Sequence, residues 1–351
     1  MGDRHTKLLA LRIAASLVML AVLIPRIHLS SLVPAWSPSV GLWLVAAAVA
    51  TAFGMFLAVV RWRTVLVGID FGGDPADRAS TDGPDGAADE PADTASEVDL
   101  RLRTLGRHYM AGLFVGNFLP STIGGDVVRV RRLSAGNGLT AESFASVVLE
   151  RLTGWVVLPF IILVSFAVNP GLRELGHASA LATAVGLVTL MVLVGFLVAV
   201  GHPRLGGRLT GGAGWRSFAA AVHLGLDRLR HRPGAAIAML TTAFAYQLAV
   251  VLVAFFAARA LGLRAVGITA CLAFFPAVAI VQVLPVTLGG LGAREWALVL
   301  FLHPLGVPTG RAVALGLVVY GLNLLVSFVG APSFALGGPK RSTRELSGDR
   351  T

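Results

Sequence analysis

The stretch LPSTIGGDVVR at residues 119–129 returns as LPVTLGGLGAR at residues 284–294. The two copies align without gaps. Six of the eleven positions are identical, and Ile123 and Leu288 exchange conservatively. Each copy closes a short apolar run with Pro120 or Pro285. Each follows it with a glycine pair, Gly124-Gly125 or Gly289-Gly290, and ends on Arg129 or Arg294. Proline removes a backbone donor and glycine relaxes the φ restriction, so both runs read as helices broken near their ends. The run from Tyr109 to Leu119 is too short to cross a bilayer, which takes about 20 apolar residues. We read it as a re-entrant hairpin that enters, breaks and leaves on the same side. The unit from Ile268 to His303 reads the same way. Gly112 and Gly116, four residues apart, mark close helix packing beside the first break.

The surroundings decide the solvent. The chain has 351 residues, of which 55% are apolar and 14% charged, with a mean hydropathy of +0.77. Ordinary soluble domains carry about 25% charged residues, so the composition excludes a soluble enzyme. Six apolar runs are long enough to span: 8–24, 40–60, 143–168, 178–200, 235–261 and 312–336. The expected fold is an all-α polytopic membrane protein with six full spans and two broken hairpins. Residues 1–336 form one transmembrane domain and 337–351 a cytoplasmic tail. The N-terminal run resembles a signal peptide, but no small-residue cleavage site follows it, so it reads as an uncleaved first span. The run 40–60 ends at Arg61-Trp62-Arg63, which reads as an interfacial anchor.

Charge is distributed unevenly. The formal net charge is +10, yet residues 70–99 hold ten of the 19 acids and one base, Arg78, so the rest of the chain carries +19. This acidic, Gly/Pro/Ala-rich insertion has too few apolar residues to build a core and reads as disordered and cytoplasmic. The basic remainder flanks apolar runs and reads as loops obeying the positive-inside rule rather than as a nucleic-acid surface. Counted from Arg4 and Lys7, the rule places both termini and the basic loop 204–232 in the cytoplasm of a cell inner membrane. The first hairpin then enters from the cytoplasm and the second from outside, as an inverted repeat. Gly/Pro-interrupted segments in equivalent places of two halves point to a transporter's binding site.

Asp126, Arg129, Glu150, Arg151, Arg294 and Glu295 lie in or beside apolar segments. Charges at mid-membrane are costly and demand partners. Glu150 and Arg151 point about 100° apart on one helix, so each must pair elsewhere. Guanidinium groups match phosphate oxygens bidentately, which makes these arginines candidates for a lipid head group, with purely structural pairing as the alternative. An inverted two-fold axis would bring Arg129 and Arg294 to one cavity walled by Glu150 and Arg151. His108 and Gln282 are weaker candidates. Catalytic residues, a cofactor motif and a metal site with paired histidines are not expected, and the single cysteine, Cys271, excludes a disulfide framework.

The set formed by Asn117 to Pro120, Gly124-Gly125-Asp126 with Arg129, Glu150-Arg151 with Gly154, and Leu284-Pro285 through Gly289-Gly290-x-Gly292-x-Arg294-Glu295 resembles the lysylphosphatidylglycerol synthase transmembrane-region family, also called flippase-like domain proteins. The resemblance runs from the first span to Leu336. It implies a bundle with two re-entrant elements that handles anionic, hopanoid or polyprenyl-linked lipids between leaflets. Some members carry a soluble aminoacyl-transfer domain after the membrane part. These 351 residues hold none, so aminoacyl transfer is not expected of them. The second functional reading is a membrane subunit that presents lipid to a separately encoded glycosyl- or aminoacyl-transferase.

Overall fold

The computed structural model describes residues 37–71, 99–118, 124–135, 139–202, 215–284, 290 and 292–336. The run at 8–24, most of the acidic insertion, Pro120, Pro285, Gly289 and the tail 337–351 lie outside these residues. The described part is helical: α1 Pro38–Gly68, α2 Leu102–Phe118, α3 Gly124–Ser134, α4 Thr140–Val168, α5 His177–Gly201, α6 Trp215–Arg230, α7 Pro233–Ala260, α8 Ile268–Val283, α9 Ala293–Leu302, α10 Thr309–Ser327 and α11 Gly330–Leu336. Helices α1, α4, α5, α7 and α10 are each long and apolar enough to cross a membrane. The protein is an all-α multi-pass membrane protein.

The repeat is visible as structure. Helices α2 and α3 flank the first break, and α8 and α9 flank the second. In each unit the two arms fold back on one another. Gly116 lies against Gly125, Tyr109 faces Arg129, and Leu105 and Leu133 share one apolar cluster, so α2 and α3 run antiparallel. Gly112 has no room for a side chain, because a Cβ there would stand 2.6 Å from Arg129 Cγ and 2.7 Å from the Gly125 carbonyl. In the second unit Gly290, with φ +80°, sits 2.8 Å (as a Cβ would) from the Gln282 carbonyl, and Phe274 stacks on Phe301 at 5.5 Å. A long helix precedes each hairpin: α1 the first, α7 the second. These two form the most extensive helix pair among the described residues, and they are antiparallel. Gly54 packs on Ala249, and Gly68 packs on Ala235 and Met239. At the other end Trp43 stacks on Phe256. Equivalent elements running in opposite directions are what an inverted repeat requires. Ala47, Ala50 and Gly54 keep the pair close where lipid supplies no hydrophobic drive.

One end of the bundle is rich in arginine, and these arginines have structural work. Arg228 donates to the Ile69 carbonyl beyond α1 and Arg230 to the Gly201 carbonyl of α5. Arg132 donates to the Ser333 and Phe334 carbonyls of α11, at 2.9 and 3.1 Å. Each satisfies carbonyls that a helix end leaves open and meets the negative pole of its dipole. The basic segment 204–232 is therefore not a plain loop. Its second half is the amphipathic helix α6, whose Ala219 and Val222 are buried with Val148 and Val200. The edges of the acidic insertion are also anchored. Asp70 pairs with Arg232 at 3.0 Å, and Asp99 accepts from Thr104 Oγ1 at 2.7 Å and from the Arg101 amide at 3.0 Å. Those bonds hold the Asp99 carboxyl below its ordinary range, with the Thr104 hydroxyl the larger cause.

The structure corrects two boundaries. Helix α1 does not end at Arg61-Trp62-Arg63 but continues to Gly68, and Arg61 and Trp62 are buried rather than interfacial. The last apolar run is two helices, α10 and α11, joined by a turn at Phe328 and Val329.

Candidate functional site

The first hairpin carries its charge into the bundle. On α3, Asp126 and Arg129 are one turn apart, and their side chains stand 3.6 Å from one another. Arg129 is 5% exposed. Its guanidinium lies between the rings of Trp62 and Tyr109, 4.3 Å from each centroid. Cation–π contacts of this kind gain strength away from water. The Trp62 indole is fixed in turn by donating to Ser146 Oγ on α4 at 3.2 Å. Ser146 donates onward to the Ser143 carbonyl at 2.8 Å.

Glu150 on α4 is the hub. It is 1% exposed. Arg129 Nη2 donates to its Oε2, and Arg61 Nη2 donates to its Oε1 at 2.6 Å. Arg61 lies 4.5 Å above the Tyr246 ring of α7. Gly154, one turn beyond Glu150, makes the approach possible, since a Cβ there would stand 3.0 Å from Arg61 Nη1. Arg151 turns away from Glu150, as its helical position requires, and donates from Nε to Asp126 Oδ2 at 2.5 Å. Five elements, α1, α2, α3, α4 and α7, thus meet at one polar cluster.

The described ion pairs join three arginines, Arg61, Arg129 and the half-exposed Arg151, to two carboxylates, Asp126 and Glu150. The Nε–H groups of Arg61 and Arg129 are buried and have no hydrogen-bond partner among the described residues. A buried donor left unmade costs about 1–3 kcal/mol, more when charged. Buried guanidinium donors left over in a place of low dielectric are the chemistry of an anion site.

Arg294 and Glu295 make a second, smaller cluster. Arg294 Nε donates to Glu295 Oε1 at 2.9 Å. Glu295 Oε2 accepts the Gly292 amide at 2.8 Å, capping α9. Arg294 lies 4.9 Å above the Tyr320 ring. The structure therefore brings Asp126, Arg129, Glu150 and Arg151 together, and separately Arg294 with Glu295. Among the described residues none belongs to both groups. Arg61 and Trp62, read in the sequence as part of an interfacial anchor, join the first cluster together with Tyr109 and Tyr246, which were not read as site residues.

A bundle of apolar spanning helices around two hairpins, with an arginine at the equivalent place in each, defines a multi-pass membrane protein of the repeat-built kind. The chain belongs to the lysylphosphatidylglycerol synthase TM region family, whose model matches residues 8–330. No curated protein and no solved structure matches it. The family makes this a lipid-related membrane protein.

Proposed function

We propose that the protein carries an anionic lipid between leaflets and that the cluster around Glu150 receives the lipid's phosphate. The observation that supports this reading is the pair of buried Nε–H groups, one on Arg61 and one on Arg129, that have no hydrogen-bond partner among the described residues. A phosphodiester supplies one negative charge and several acceptor oxygens. It also competes with Glu150 for Arg129 and Arg61, which gives a reason for two guanidiniums to share one carboxylate at rest. The inverted repeat fits alternating exposure of one site to the two sides. By the positive-inside rule, the end holding Arg63, Arg132, Arg228 and Arg230 faces the cytoplasm.

The test is leaflet exchange of fluorescent anionic and zwitterionic lipids in proteoliposomes, read by reduction of the outer-leaflet dye. Wild-type protein is expected to accelerate exchange of the anionic lipid. Arg129→Lys keeps the charge but loses the planar fork and should slow exchange about tenfold, the scale of one charge-assisted hydrogen bond. Equal rates for empty and protein-bearing vesicles would refute the transport reading. Equal rates for Arg129→Lys and wild type would refute the role of the cluster.

A further inference from the structure

At the opposite end of the bundle from the arginine-rich face, α1 begins where α7 ends. Between them lies a recess of about 430 Å³ whose wall includes Ser39, Trp43, Arg259 and Arg264. None of its lining residues is acidic. This sets it apart from other arginine sites in the molecule. Arg61, Arg129, Arg151, Arg228, Arg232 and Arg294 all have carboxylate partners. Among the described residues Arg259 contacts the Arg264 carbonyl, at 3.3 Å, and the Phe255 ring, at 4.9 Å. No described carboxylate pairs with Arg259 or Arg264. The short connection from α7 to α8 places both arginines, five residues apart, on the wall of the same recess, where an anion would be drawn to both.

The remaining wall fits the boundary between hydrocarbon and head groups. Trp43 stacks on Phe256 at 5.9 Å and brings an indole of the type enriched at membrane interfaces. Ser39 adds a hydroxyl, already hydrogen-bonded to Ser37 Oγ at 2.9 Å. Just below, Leu42 and Val45 are exposed on α1 at 68% and 61%, an apolar surface suited to acyl chains.

From the two arginines on its wall, the indole and the adjoining apolar stripe we infer that this recess is a second anion site, for the phosphate of an anionic glycerophospholipid in the leaflet opposite the arginine-rich face. It is separate from the Glu150 cluster, and it does not depend on transport.

The test uses the full chain in nanodiscs of phosphatidylcholine doped with phosphatidylglycerol, with bound lipid counted by native mass spectrometry after exchange. Each variant is also made in an Arg129→Ala background, so that loss at the recess and loss at the Glu150 cluster are scored separately. The double substitution R259Q/R264Q should remove one retained phosphatidylglycerol and weaken its binding about tenfold or more, while R259K/R264K retains it. If the double variant is not monodisperse, R264Q alone, at an exposed position, carries the same expectation in weaker form. Retention of the same phosphatidylglycerol count by R259Q/R264Q, or by R264Q where it stands in, would overturn the proposal. Displacement of the retained lipid by millimolar inorganic phosphate would overturn its lipid specificity and make the recess a site for the free anion. Persistence of the lipid in phosphate supports the lipid head group.

Discussion

Arg61 and Arg129 hold the two oxygens of one carboxylate, Glu150, from helices far apart in sequence. Each guanidinium also rests on an aromatic ring, Arg61 on Tyr246 and Arg129 on Trp62 and Tyr109. The arrangement ties α1, α2, α3, α4 and α7 at one point. Because the carboxylate is shared, an event that removes its charge frees two buried cations at once.

Glu150→Gln should therefore be among the most damaging single substitutions. Removing one partner from a buried ionic group costs roughly 3–5 kcal/mol, because the remaining charges lose compensation. Thermal unfolding in detergent is the measurement. A second change, Arg61→Met in the Glu150→Gln background, removes one orphaned cation and should recover part of the loss. No recovery would mean that Glu150 acts through packing rather than charge.

The hairpin geometry makes a sharper comparison within one helix. Gly106, Gly112 and Gly116 all lie on α2. A Cβ at Gly106 meets nothing within 4 Å, whereas one at Gly112 meets Arg129 Cγ and the Gly125 carbonyl. Gly106→Ala should be neutral or stabilising by about 0.5–1 kcal/mol, the helix preference for alanine. Gly112→Ala should destabilise by about 1–3 kcal/mol through overpacking and should shift Arg129. The same unfolding assay compares them, and equal effects would contradict the hairpin contact.

Much of this was legible in the sequence, for local reasons. Proline and paired glycines announce a broken helix whatever surrounds them, and their recurrence at 119–129 and 284–294 exposed both hairpins. Spans were legible because membrane helices are apolar on every side. Arg61 was not legible. After a run of spanning length, Arg-Trp-Arg has the composition of an interface anchor. What keeps Arg61 inside is Glu150, 89 residues later, a neutralising contact with no local trace. The same holds for α6. Its arginines dominate the composition of segment 204–232, while the apolar face that makes it a helix is only Ala219, Val222 and their neighbours. The carbonyls that Arg228 and Arg230 satisfy belong to distant helix ends.

Gly154 offers a test of Arg61 that leaves every charge in place. Its missing side chain admits the Arg61 guanidinium beside Glu150, and the Gln247 amide lies 3.7 Å from where a Cβ would stand. Gly154→Ala should displace Arg61 by a few tenths of an ångström and slow anionic lipid exchange several-fold, with stability changed by about 1 kcal/mol or less given that alanine also favours the helix. Unchanged exchange would show that the position of Arg61 on Glu150 is not critical to transport.

The acidic insertion is expected to be dispensable. Its described edges, Asp70 and Asp99, carry the structural contacts, while residues 72–97 have almost no large apolar side chains. Replacing 72–97 with a short Gly/Ser linker should leave monodispersity and lipid exchange near wild type. A large loss of folded protein would assign the segment a role in assembly.

Sidedness can be read directly. Arg216 lies at the start of α6 on the arginine-rich end, and Arg264 lies in the turn between α7 and α8 on the other; both are exposed. Single cysteines at these positions, in a Cys271→Ala background, report their side to a membrane-impermeant maleimide added to intact cells. Cys271 is buried in an apolar cluster, so its loss to alanine should leave a small cavity and little structural change. Labelling at position 264 without lysis, and at 216 only after it, is the expected pattern. It follows because arginines are retained on the cytoplasmic side during insertion, and the end around Arg216 also holds Arg63, Arg132, Arg228 and Arg230. Since α1 and α7 are antiparallel, fixing the side of Arg264 fixes the entry side of both hairpins: α2 starts from the end where α1 finishes, and α8 from the end where α7 finishes. Labelling of 216 but not 264 in intact cells would reverse the whole bundle. It would place the Arg259–Arg264 recess in the cytoplasmic leaflet while leaving the inverted relation between the two units intact.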